Sequence, residues 1–198
     1  MNIGSNELDK ALRLLGGHLR LQDAPPMNLV VCGGAALLAR GLQTRTTQDV
    51  DILAFMDDDR NLTAPVPLPD GLMEAADRAA KTLGLPENWL NNEPSARDSG
   101  LFQRGLPEGI AHRMICREYG SHLRVFFVGR LDQIHFKLLA AANVGGRHLD
   151  DLLALAPTGD ELEQAARWAI ARKPDPAFLQ SLTGLLGYLG YGNIAERL

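Results

Sequence analysis

Leu29-Val30-Val31-Cys32-Gly33-Gly34-Ala35-Ala36-Leu37-Leu38, followed after an interval by Asp49-Val50-Asp51-Ile52-Leu53-Ala54, is the stretch on which the reading of this chain turns. Four apolar residues run into two glycines and then into good helix formers. That pattern predicts a buried strand, a tight turn and a helix, with Gly41 placed to end the helix. In the second run Val50, Ile52 and Ala54 alternate with Asp49, Asp51 and Leu53, which predicts another strand with its acids near the start. Two aspartates two positions apart on a strand share a face. Their charges repel unless a cation neutralises them, and a divalent metal does so while also binding phosphate oxygens. A strand that ends in Gly-Gly exposes backbone N–H groups with no side chain in the way, so an anionic oxygen can come close. Fourteen residues stand between Gly34 and Asp49.

Outward from this stretch, Leu8, Leu12, Leu15 and Leu19 recur at helical spacing, so residues 6–21 are expected to form an amphipathic helix that Pro25-Pro26 breaks. Residues 57–70 hold Asp57-Asp58-Asp59 and the prolines Pro65, Pro67 and Pro69, the composition of a loop. Leu72–Leu83 reads as a helix ended by Gly84. Residues 86–109 read as an irregular excursion anchored by Trp89, with Asn91 and Asn92 as candidate cleft-lining residues. Residues 111–117 and 122–128 are expected to pair as a hairpin. Further helices are expected over 131–142, 149–155, 158–171 and 177–189; Thr158 and Glu161 have the spacing of a capping box. The order predicts an α/β (α+β) architecture: a mixed sheet flanked by helices, with a helical C-terminal part. The expected division is a domain over 1–155 and a helical extension over 156–198.

Composition narrows the class. Of 198 residues 45% are hydrophobic and 22% charged, with 20 basic against 24 acidic side chains, so no overall positive charge supports a surface built for nucleic acid. No apolar run is long enough to span a membrane, the first ten residues lack a signal peptide's apolar segment, and a cytoplasmic protein is expected. Cys32 and Cys116 are expected to be buried free thiols. The five histidines are scattered without zinc-ligand spacing.

The Gly-Gly turn followed at this interval by Asp-x-Asp resembles the signature of the nucleotidyltransferase superfamily. Arg45-Thr46-Thr47-Gln48-Asp49-Val50-Asp51 is similar to the R-x-[ST]-x-D-x-D approach of an uncharacterised bacterial group related to AbiEii-type and MenT-type nucleotidyltransferase toxins. The resemblance implies a nucleotidyltransferase fold. It implies that Asp49 and Asp51 hold magnesium, or manganese in its place, and that Gly33, Gly34, Arg40, Arg45 and Thr47 bind a nucleoside triphosphate.

A second part of the resemblance lies over Asp132-Gln133-Ile134-His135-Phe136-Lys137-Leu138-Leu139-Ala140 and Arg147-His148-Leu149-Asp150-Asp151-Leu152. It implies that Lys137 meets a phosphate as a point charge and that Asp151 positions Lys137 or an arginine. The implied activity is transfer of a nucleoside monophosphate to an acceptor hydroxyl on tRNA, protein or a small molecule. A toxin role with a cognate antitoxin is implied as well. One departure stands out. Relatives often carry a third carboxylate on a later strand, whereas Leu123-Arg124-Val125-Phe126-Phe127-Val128 holds none. Glu118 and Asp132 are the substitutes within reach in sequence. The alternative expectation is therefore a nucleotide- or partner-binding module of the same fold without turnover.

Overall fold

The computed structural model describes residues 2–42, 45–96 and 100–198. The chain divides into two compact units, 1–129 and 130–198, so the expected boundary after residue 155 lies inside the second of them.

The first unit is built on one open mixed sheet. In chain order its elements are α1 (Ser5–Leu21), β1 (Met27–Cys32), α2 (Gly33–Ala39), β2 (Val50–Met56), β3 (Leu62–Thr63), α3 (Asp70–Leu83), β4 (Leu90–Asn91), α4 (Leu101–Arg104), β5 (Ile115–Glu118) and β6 (Leu123–Phe127), with a 3-10 turn at Ile110–His112. The strands lie in the order β3-β2-β1-β6-β5, and β4 also pairs with β2. β1 runs antiparallel to β2 and parallel to β6, while β5 and β6 form the expected antiparallel hairpin.

Helices α1 and α3 pack on each other and cover one face of the sheet. The leucines that set the period of α1 (Leu8, Leu12, Leu15 and Leu19) are all buried there, against Leu29, Val31, Val50 and Ile52. At Gly16 the helix presses on the hairpin turn: a Cβ at this position would lie 1.9 Å from the Tyr119 carbonyl oxygen. Trp89 is fully buried, and its Nε1–H donates to the Ala76 carbonyl at 3.0 Å, so it anchors the irregular segment to α3.

The sequence expectations need correction in several places. Leu62–Thr63 forms a short strand inside the expected loop over 57–70, because the turn at Asp57–Asn61 brings it back antiparallel to Phe55 and Met56. Residues 110–112 form a 3-10 turn, so the first hairpin strand starts only at Ile115. Cys32 is buried but Cys116 is exposed, since β5 is the outer strand of the sheet. Beyond the last expected helix, a short one follows over Gly192–Ala195.

The second unit is helical: α5 (Arg130–Val144), α6 (Arg147–Ala154), α7 (Gly159–Arg172), α8 (Pro176–Tyr188) and α9 (Gly192–Ala195). Helix α5 packs on α6, α7 and α8. The expected capping box starts α7: Glu161 N–H donates to Thr158 Oγ1, and Thr158 N–H donates to Glu161 Oε2. Arg130 joins this cap to α5 by donating to Glu161 Oε1 at 2.5 Å and to the Leu155 carbonyl. Among the described residues no helix is long and apolar enough to cross a membrane.

Candidate functional site

Strand β1 ends at Cys32, and Gly33 takes a left-handed φ of +68° that starts α2. On β2, Asp51 is the register partner of Cys32, so the acid is delivered beside the turn by the antiparallel pairing itself. Burial follows the strand period at this end. Val50 and Ile52 point into the core, while Asp49 and Asp51 are half-exposed on the opposite side. The alternation ends after Ile52, where Leu53 and Ala54 are both buried.

The two glycines are in direct contact with this segment. A Cβ on Gly33 would stand 2.4 Å from Asp51 Oδ2, and a Cβ on Gly34 would stand 2.6 Å from Thr47 Oγ1. Neither position has room for a side chain. Thr47 is buried, and its hydroxyl lies 3.3 Å from both Asp49 Oδ1 and the Asp49 carbonyl oxygen. Gly33, Gly34, Thr47, Asp49 and Asp51 are thus brought together at the junction of β1, α2 and the start of β2.

Of the other candidates in the first unit, Arg40 stands apart from this junction. Arg40 is the C-terminal cap of α2, six residues past Gly34, so its backbone sits roughly 9 Å along the helix from the turn. Arg117 reaches the same end of α2 and donates to the Ala39 carbonyl, which places a cation at the negative end of the helix. Arg45 and Thr46 are exposed in the approach to β2. In the second unit Lys137 and Asp151 form an ion pair of 2.6 Å, with side chains 9% and 1% exposed.

Strand β6 brings no acid beside the glycine turn. Phe127 pairs with Val31, and Val128 N–H donates to the Val31 carbonyl, so the residues of this strand nearest the glycine turn are two fully buried apolar side chains. Glu118 is the register partner of Arg124, three positions back along β6 and roughly 10 Å from that point. The register therefore takes Glu118 away from the turn. Asp132 is a buried residue of α5 in the second unit.

On its other flank β2 pairs with β4, and there Asn91 is the register partner of Asp51. Its side-chain Oδ1 accepts from Glu93 N–H at 2.9 Å. The sequence offers Asn91 as a candidate cleft-lining residue but not its pairing with Asp51, because a two-residue strand inside an irregular segment has no periodicity to read. A residue that patterning missed altogether is Ile3. Its backbone exchanges both hydrogen bonds with Thr47, at 2.7 and 2.9 Å, and its side chain is fully buried in the core.

Among the described residues no group of three or more His, Cys, Asp or Glu is placed to hold a metal. Two carboxylates nonetheless suit magnesium, which is commonly bound by one or two acids and completes its octahedron with water and phosphate oxygens. The donor chemistry here is of that kind. The Thr47 bond falls on Asp49 Oδ1, and so orients the carboxylate without occupying Oδ2. No protein-family model matches the chain, and no curated protein and no solved structure matches it.

Proposed function

We propose that this protein is a magnesium-dependent nucleotidyltransferase of the nucleotidyltransferase fold, moving a nucleoside monophosphate from a nucleoside triphosphate to an acceptor hydroxyl. The reading is carried by one observation: the side-chain-free Gly33-Gly34 turn is in contact with the segment that presents Asp49 and Asp51. A triphosphate needs backbone donors that it can approach and a cation beside them; the glycine turn suits the first need and the acid pair the second.

The acceptor oxygen forms a bond to the α-phosphorus, the bond from that phosphorus to its bridging oxygen breaks, and pyrophosphate leaves with the electron pair. The acceptor proton passes to a base. Magnesium, held by Asp49 and Asp51, would draw charge from the phosphate oxygens. The glycine backbone receives the phosphate chain, and exposed Arg45 adds a guanidinium suited to bidentate contact with phosphate.

A second reading, nucleotide binding without turnover, is favoured by the apolar Phe127 and Val128 where a third acid would complete the site. One experiment separates the two. The protein is incubated with each α-labelled nucleoside triphosphate, magnesium, and total tRNA or cell lysate. Label transfer that Asp49→Asn abolishes supports the enzyme. Saturable triphosphate binding with no transfer supports the second reading, and absence of binding for all four bases overturns both.

A further inference from the structure

We infer that Thr47 is a positioning residue for the acid pair: its hydroxyl sets the orientation of the Asp49 carboxylate, and the main-chain bridge to Ile3 holds the hydroxyl in place. The inference rests on the reading of Asp49 and Asp51 as a divalent-cation site.

Thr47 is fixed from three directions. Its backbone N–H donates to the Ile3 carbonyl at 2.9 Å, and its carbonyl accepts from Ile3 N–H at 2.7 Å. Ile3 is itself pinned by a fully buried side chain in the cluster under α1. On the side of the turn, the Thr47 hydroxyl occupies the space that a Gly34 side chain would need. On the third side the hydroxyl faces Asp49, with one proton to share between the backbone oxygen and Oδ1 at 3.3 Å each.

Asp49 itself precedes the first residue of β2, so the sheet ladder does not fix it as it fixes Asp51. A carboxylate at a strand entrance samples several rotamers, and holding it in one removes the ordering cost from metal binding. The bridge to Ile3 supplies the rigidity that the strand does not yet provide at this position. Thr47 thereby acts through Asp49, and Gly34 is required as glycine because the hydroxyl stands against it.

The test compares Thr47→Ser with Thr47→Ala. Both are smaller than threonine and leave Gly34 uncrowded, and they differ only in the hydroxyl. The readout is Mn2+ affinity in the absence of any nucleotide, followed by the electron paramagnetic resonance signal of free Mn2+, with urea midpoints measured alongside. Thr47→Ser is expected within about threefold of the wild type, and Thr47→Ala is expected to bind roughly 10- to 100-fold more weakly, the range found for groups that orient metal ligands. The isosteric Thr47→Val is expected to match Thr47→Ala. Equal Mn2+ affinity of Thr47→Ala and wild type overturns the positioning role and leaves the metal reading standing. A wild-type protein that binds no Mn2+ overturns the metal reading and the positioning role together. Weak binding in Thr47→Ser equal to that in Thr47→Ala assigns the effect to packing and also overturns the role.

Discussion

The carboxylate of Asp51 lies against the α-carbon of Gly33, close enough that a Cβ there would stand 2.4 Å from Oδ2. Gly33→Ala therefore meets two separate costs: a left-handed φ of +68°, about 1–2 kcal/mol for an L-residue, and displacement of the acid. Gly41→Ala is the matched control, because Gly41 has φ +67° with nothing within 4 Å of its missing Cβ. Gly33→Ala should lower the urea midpoint more than Gly41→Ala and should alone weaken Mn2+ binding. Equal behaviour of the two variants contradicts the close approach.

Asp49→Asn and Asp51→Asn each remove one negative charge from the half-exposed face of the β2 entrance. Nucleotidyl transfer should fall by about 100-fold or more in each, since changing even an indirect partner of a metal ligand costs up to that factor. The circular dichroism spectrum should be unchanged. Retention of transfer by both variants would remove the chemical basis of the proposed reaction.

Gly16 sets how closely α1 can approach the β5–β6 turn. Gly16→Ala places a methyl group 1.9 Å from a main-chain oxygen, which the turn has to move to accept. The expected loss of stability is about 1–3 kcal/mol or more, read from urea unfolding. Gly17→Ala, one residue on with open space around it, should be neutral or stabilising through better helix propensity.

The buried pair Lys137–Asp151 is stable only as a pair. Lys137→Met alone leaves the Asp151 carboxylate buried without its cation, and should cost roughly 3–5 kcal/mol. The double variant Lys137→Met/Asp151→Leu should recover most of that loss. A double-mutant cycle on thermal or urea midpoints checks it, and additive effects would mean that the two charges do not depend on each other.

Glu161 makes α7 sensitive to acid. The Arg130 guanidinium holds its carboxyl below the usual carboxylate range, helped by the Thr158 N–H and opposed by partial burial. A depressed folded-state value gives stability that is fully present above the ordinary Glu range and lost as pH falls through the folded value. Urea midpoints measured from pH 6 downward should therefore decline less steeply for Glu161→Gln than for the wild type. A wild-type slope identical to that of Glu161→Gln would mean that the Arg130 bond contributes nothing.

Much of this fold was legible from spacing. The leucines of α1, the apolar run of β1 into Gly33-Gly34, the alternation at Val50–Ile52 and the capping box at Thr158 are local patterns, and each local pattern is realised where it stands. What spacing missed was held by contacts distant in sequence. The Leu62–Thr63 and Leu90–Asn91 strands are too short to carry a period and exist because β2 offers each a pairing edge. Cys116 looked like a core residue because its neighbours are strand-like, but its exposure depends on β5 being outermost.

For the candidate site, the residue types and their order were written in the chain: two glycines closing a strand, two acids opening the next, a threonine between them. Local chemistry fixes those features, because a turn needs glycine and a strand shows alternate residues to one face. Which atoms touch was decided only by folding. Antiparallel pairing sets Asp51 beside the glycine turn, α2 fills five residues of the interval and puts Arg40 at its far end, and the bridge from Ile3 brings Thr47 under Asp49. The apolar Phe127 and Val128 likewise come beside the turn through the register of β6 with β1. Register and crossovers join residues far apart in sequence, and no periodicity within a single segment encodes them.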